Sequence, residues 1–189
     1  YIKENYQEEL RVAQEWLEKR KFCAVGEIGL DYYWDKTFAK EQQLAFRQQI
    51  EWSIHYQIPI VIHTREATKD TLDIVSEYVS QGVKGVFHCF SGSYETAQQI
   101  IGMGFYLGIG GVLTYKKAGL QEVVQQIDLK HLVLETDAPY LTPVPFRGKR
   151  NESSYVKIIA EKLAELKQMS VEEVSQQTTQ NALTLFQMM

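Results

Sequence analysis

The sequence predicts an α/β fold of the TIM-type (β/α) barrel, with roughly the last five β/α units present in this chain. Three observations carry that expectation. Apolar runs of strand length alternate with stretches of helical periodicity through five repeats. No Pro/Ser-rich linker interrupts residues 1–189, so the alternation reads as one domain. Polar residues able to bind metal stand where the apolar runs end, at the barrel rim on which the loops converge.

Residues 7–20 have helical spacing, with Leu10, Ala13 and Leu17 on one face. A first strand follows over 22–29, then a polar helix over 40–57 whose apolar face is poorly defined. Residues 59–64 form the second strand, and 66–80 a helix with Leu72, Val75 and Val79 inward. The third strand spans 84–90, and Ser93 caps a short helix over 93–101. A glycine-interrupted fourth strand covers 105–113, and Leu120, Val123, Val124 and Ile127 line the next helix. The fifth strand, 132–136, leads into the irregular stretch APYLTPVPFRGKRNESS. Val156, Ile159, Ala160 and Leu163 mark one further helix, and Ser170 with Glu173 has the spacing of a capping box for another.

Composition narrows the class. A chain of 189 residues with 44% hydrophobic and 23% charged residues is ordinary for a globular protein. Twenty basic against 24 acidic residues give a net charge of −4, so global charge does not draw it to nucleic acid. No run is long enough for a membrane span, and the polar start YIKENYQEEL has no signal-peptide core. The two cysteines, Cys23 and Cys89, lie in apolar runs and read as buried thiols of a cytoplasmic protein. The expected oligomeric state is a monomer.

The chemistry gathers at four strand ends: Glu27 in CAVGEIGLD, His63 in PIVIHTR, His88 in GVFHCF and Asp137 in HLVLETDAP. Two histidines and two carboxylates converging on one rim suit divalent cations that activate water. This placement favours a closed barrel over an open doubly-wound sheet, whose splayed strand ends would keep Glu27 from Asp137. Five strands are too few for the usual eight, so the first three are expected upstream of Tyr1.

Strand alternation sorts the neighbours. With His88 inward, Cys89 points outward to the helices as a packing residue, and Arg65 shares the face of His63. Glu135 shares that of Asp137, and parity leaves open which of the two holds metal. Taken singly, a His or Glu at a strand end is a hydrogen-bonded structural residue; the repeated placement argues otherwise. His55, His131, Cys23 and most tyrosines read as structural. Arg147, Lys149 and Arg150 fall within four positions of a proline-stiffened loop and suit phosphate oxygens. Tyr115 in GIGGVLTYKK is placed to stack on a base. There is no dinucleotide fingerprint, P-loop, nucleophile elbow or paired-cysteine zinc module.

Ordered stretches through nearly the whole chain resemble the TatD-like metal-dependent deoxyribonucleases, a branch of the amidohydrolase-type barrels. They are GEIGLDYYWD at 26–35, IPIVIHTREA at 58–67, GVFHCFSGS at 85–93, YLGIGGVLTYK at 106–116, LETDAPYLTP at 134–143 and RGKRNE at 147–152. The resemblance implies a metal-dependent hydrolase that cleaves DNA phosphodiesters, exonucleolytically, with metal-activated water. It implies Glu27 as a bridging carboxylate, His63 and His88 as ligands of one ion, and Asp137 as ligand of the other and acceptor of the water's proton. Glu135, Arg65 and the loop of Arg147, Lys149 and Arg150 would orient water or substrate, with the four cationic residues as the substrate-binding set. Up to two ions are implied; Mg²⁺ suits the carboxylates best, and the histidines also accept Mn²⁺ or Zn²⁺. The chain departs from the family in lacking the His-x-His pair of the first strand. The resemblance begins well inside the family pattern, as for an N-terminally truncated barrel. Two alternatives stand beside DNA (or RNA) cleavage. One is an amidohydrolase-type enzyme for a small amide, lactone or phosphoester; the other is an inactive truncated scaffold.

Overall fold

A computed structural model of the protein describes residues 2–188. They fall into two compact units, the first running to Val86 with Phe186–Met188 added, the second Phe87–Leu185. The strands are β1 (Val25–Asp31), β2 (Ile60–Arg65), β3 (Gly85–Phe87), β4 (Tyr106–Ile109) and β5 (Leu132–Leu134), in the order β1-β2-β3-β4-β5. Within the units β1 pairs with β2, and β4 with β5, in parallel.

In the first unit α1 (Tyr6–Lys19) buries Leu10 against Ala45 and Trp52 of α2 (Ala39–Tyr56), with Ala13 and Leu17 alongside. The polar 40–57 stretch does have an inner face, composed of Ala45, Phe46, Ile50, Trp52 and Ser53. In β1 the register shifts between Val25 and Ile28. Beyond that bulge Ile28 and Leu30 are buried, while Glu27, Gly29 and Asp31 occupy the alternate positions. Ile60 and Ile62 are the buried residues of β2, leaving His63 on the other parity. Gln42 of α2 secures the end of β1: its Oε1 accepts the Asp31 N–H at 2.9 Å and its Nε2 donates to the Asp31 carbonyl at 3.0 Å. The remaining helix of this unit, α3 (Thr68–Ser76), buries Ile74 and Val75.

The second unit holds α4 (Tyr94–Gly102), α5 (Leu120–Gln126), α6 (Val156–Lys167) and most of α7 (Val171–Phe186). Its core includes Phe87 and Phe105, packed edge to face at 5.7 Å, and Leu107, Ile109, Val124, Leu132, Ile159, Leu163 and Val174. Both expected caps form. Ser93 Oγ accepts the Thr96 N–H; at α7, Ser170 Oγ accepts the Glu173 N–H while Glu173 accepts the Ser170 N–H. Buried Asn181 of α7 donates from Nδ2 to the carbonyls of Leu129 and Leu132, tying that helix to the entry of β5.

The structure departs from the sequence expectations at strand ends and in some burial assignments. The strands expected over 84–90, 105–113 and 132–136 stop earlier, because left-handed residues or a 3-10 turn follow them. Cys89 has φ 47° and Asp137 φ 55°, and β4 gives way to a 3-10 turn at Gly111–Thr114. Cys23 is exposed rather than core, since β1 starts only at Val25 and the 22–24 run precedes the sheet. Among the described residues Tyr78 alone of the tyrosines is buried. The others keep their amphipathic rings part way in water.

Replacing Asn181 by Leu would remove two buried side-chain hydrogen bonds, to the Leu129 and Leu132 carbonyls, and should cost about 2 kcal/mol or more. The exposed cap substitution Ser170→Ala should cost only about 1 kcal/mol. Urea unfolding of the two variants checks the ranking.

Candidate metal centre

His63 sits two residues before the end of β2, opposite Gly29 in the ladder. Each ring nitrogen meets a carboxylate: Nδ1 lies 2.9 Å from Glu27 Oε1, and Nε2 lies 3.0 Å from Asp31 Oδ2. The Glu27 hydrogen bond pushes the imidazole pKa above its ordinary value; burial opposes the shift and Asp31 adds to it. Asp31 is itself fixed, because its Oδ1 accepts the Tyr33 N–H at 2.9 Å. Gly29 makes this approach possible. Its φ is 140°, and a Cβ there would lie 2.0 Å from the His63 carbonyl oxygen.

The second unit repeats the arrangement. His88 Nδ1 lies 2.9 Å from Glu135 Oε2, and Nε2 lies 3.4 Å from Asp137 Oδ1. Glu135 Oε1 also accepts the Cys89 N–H at 2.6 Å, so both oxygens of that carboxylate are engaged. Gly108 clears the space it occupies: a Cβ there would meet Glu135 Oε2 at 2.6 Å. His88, Cys89 and Glu135 can bring one ligand atom each to within 4.8 Å of one another. This corrects the outward, packing role expected of Cys89. Strand alternation has ended at Phe87, and the left-handed backbone at Cys89 redirects its side chain.

Asp137 also lies beyond its strand, so loop geometry rather than parity brings it to His88. Asn151, 2% exposed, supports that loop. Its Nδ2 donates to the Thr136 carbonyl at 2.6 Å and to the Tyr140 carbonyl, and its N–H donates to the Pro139 carbonyl at 3.1 Å. Sequence reasoning did not single out Asn151. It also passed over Asp31, although Asp31 shares strand parity with Glu27.

The cationic residues find aromatic partners. Arg65 is exposed, its guanidinium 3.7 Å above the Tyr33 ring. Arg147 lies 4.2 Å over Tyr115, and Lys149 Nζ is 5.8 Å from the Phe146 ring, which stacks on Tyr155 at 4.8 Å. Arg150 is exposed. The face of Tyr115 expected to receive a base thus carries Arg147, and its hydroxyl donates to the Thr142 carbonyl at 2.9 Å. His131 keeps its structural reading, with burial lowering its pKa.

The donor sets fit divalent cations. Each imidazole faces two carboxylates, an excess of negative charge that a cation relieves. Histidine-bound metals characteristically leave the second ring nitrogen to an orienting carboxylate. Asp31 and Glu135, each holding a backbone N–H, match the orienting role, and Glu27 and Asp137 face the other ring nitrogens.

Comparison with known proteins agrees with this chemistry. The family model described as TatD related DNase matches residues 1–187. The chain is 48% identical over 181 residues to the "Uncharacterized metal-dependent hydrolase YabD" of Bacillus subtilis (strain 168), covering 95% of this chain and 71% of the relative. It is 41% identical over 164 residues to the "Uncharacterized metal-dependent hydrolase YcfH" of Escherichia coli (strain K12), covering 86% of this chain but only 62% of that protein's length. The crystal structure of YJJV, a TatD homolog from Escherichia coli K12, superposes with a TM-score of 0.89 at 31% identity, covering 95% of this chain and 70% of that one. The TatD family hydrolase of Entamoeba histolytica gives 0.80 at 26% identity, covering 97% and 69%. The fold is therefore the TatD-type α/β fold of the TIM-barrel class, and the chain belongs to the TatD related DNase family.

Proposed function

We propose that this protein is a metal-dependent phosphodiesterase that hydrolyses DNA exonucleolytically, acting as a monomer in the cytoplasm. The observation that carries the reading is the twofold bracketing of a histidine by carboxylates, His63 by Glu27 and Asp31, and His88 by Glu135 and Asp137. Glu27, His63, His88 and Asp137 would hold up to two divalent cations, Mg²⁺ first, with Mn²⁺ or Zn²⁺ acceptable to the imidazoles. When bound, such ions lower the pKa of coordinated water and neutralise phosphate oxygens. Two cysteines, both free, suit the reducing cytoplasm, and no described helix is long and apolar enough to cross a membrane.

The chain's own residues supply the remaining work. Asp137 accepts the proton that the attacking water releases, since its carboxylate lies 3.4 Å from His88 Nε2 on a loop braced by Asn151. Asp31 and Glu135 keep the two imidazoles in the tautomers that leave the other nitrogen a donor to a cation. Arg65, Arg147, Lys149 and Arg150 bind phosphate oxygens. Arg65 and Arg147 are pre-ordered by stacking, and a stacked guanidinium keeps its N–H donors at the edge, open to phosphate.

Glu27→Ala should reduce Mg²⁺- or Mn²⁺-stimulated hydrolysis of an end-labelled oligonucleotide by about 100-fold or more, as expected for loss of a metal ligand. Unchanged turnover would remove Glu27 from the mechanism, and cleavage of amides alone would overturn the phosphodiesterase reading. Asn151→Ala should act through Asp137. It should lower kcat about 10-fold with a smaller change in KM, and should reduce stability by about 2 kcal/mol through its lost buried hydrogen bonds. A stability loss with kcat intact would make Asn151 purely structural.

A further inference from the structure

Immediately after Asp31 the chain presents an aromatic step to solvent. Trp34 is 67% exposed and Tyr33 50%, and their rings meet edge to face with centroids 4.8 Å apart. Side chains of this size usually contribute through burial, so the exposed Trp34 ring, next to a Tyr33 ring that carries Arg65 on one face, offers binding surface. They are nevertheless held in place. The Arg65 guanidinium lies 3.7 Å from the Tyr33 ring centroid and 5.6 Å from that of Trp34. The Tyr33 N–H donates to Asp31 Oδ1, and the other oxygen of Asp31 meets His63 Nε2. One carboxylate thus fixes both the aromatic step and a candidate metal ligand. Trp34 borders the same cavity as Glu27, Asp31 and His63, a space of about 1250 Å³.

We propose that Tyr33 and Trp34 form a nucleobase-stacking subsite for a nucleotide beside the scissile phosphate, with Arg65 contacting that nucleotide's phosphate. The proposal rests on the DNA-hydrolase reading and adds a recognition element to it: an aromatic face that holds one base beside the scissile phosphate. The physical need is clear. The chain carries a net charge of −4, and Glu27, Asp31 and Asp35 all border this cavity, so phosphate attraction alone is weak here. Stacking attracts a base without regard to charge, and it tolerates any sequence because every base has a π-face. A base paired inside a duplex has already committed both faces to its neighbours and must leave the stack to use Trp34.

The test compares a single-stranded oligonucleotide with one of equal length that is abasic at its terminal nucleotide, so the phosphates match. With Mn²⁺ present, the protein should show a KM about 10-fold lower for the intact strand, in line with the stacking contribution of one base. Trp34→Ala should raise that KM to the abasic value and leave abasic hydrolysis unchanged; Trp34→Phe should retain most of the preference. Without added metal, the intact strand should quench tryptophan fluorescence, and Trp34→Phe should remove the quenching. Equal KM values for intact and abasic strands, or a Trp34→Ala effect of the same size on both, would overturn the subsite while leaving the hydrolase reading standing. Failure of the unaltered protein to cleave either strand would overturn both.

Discussion

Placing carboxylates against histidine nitrogens at strand ends is the constraint to which much of the surrounding chain answers. Glu27 and Asp31 flank His63; Glu135 and Asp137 flank His88. Each set gathers negative charge in a partly desolvated place, which is costly unless a proton, a hydrogen-bond donor or a cation offsets it. The raised pKa of His63 expresses that demand, because the nearby carboxylates favour its charged form against the penalty of burial. A cation satisfies the same demand without a proton. This is why the donor chemistry and the relationship to metal-dependent hydrolases point the same way.

The backbone around these groups is shaped to admit them. Gly29 lets β1 approach the His63 carbonyl, and Gly108 leaves room for the Glu135 carboxylate. Cys89 and Asp137 adopt left-handed conformations just past their strands, which costs non-glycine residues about 1 kcal/mol or more and therefore needs support from tertiary contacts. For Cys89 the Glu135 hydrogen bond to its N–H contributes that support. Around Asp137, Asn151 binds carbonyls on both sides. Rigidity at the strand ends thus comes from side chains that themselves do no chemistry.

Much of the architecture was legible because it follows from periodicity. Leu10 and its neighbours, the five apolar runs, and the caps at Ser93 and Ser170 all appear as expected, since burial period and capping chemistry are local properties. The errors have one origin. The expected strands are too long: 84–90 runs through Cys89 as if alternation continued, which turns Cys89 away from the site, and 22–29 starts before the sheet does, which puts Cys23 in the core. Nothing in a stretch such as HCF marks where φ changes sign, because that choice depends on the residue pairing across space. Asp31 was a different kind of omission: the parity of Glu27, Gly29 and Asp31 was present in the sequence.

By itself, then, the sequence determined the α/β class, the resemblance to TatD proteins and the nomination of Glu27, His63, His88 and Asp137. Those depend on residue type, spacing and local hydrophobic period. Only the tertiary structure decided which carboxylate faces which imidazole nitrogen, that Asp31 and Glu135 each accept a backbone N–H, and that Arg65 and Arg147 rest on aromatic rings. The physical reason is that these pairings join residues from 2 to 49 positions apart, and their energies exist only once the fold has brought the groups within hydrogen-bonding or stacking distance.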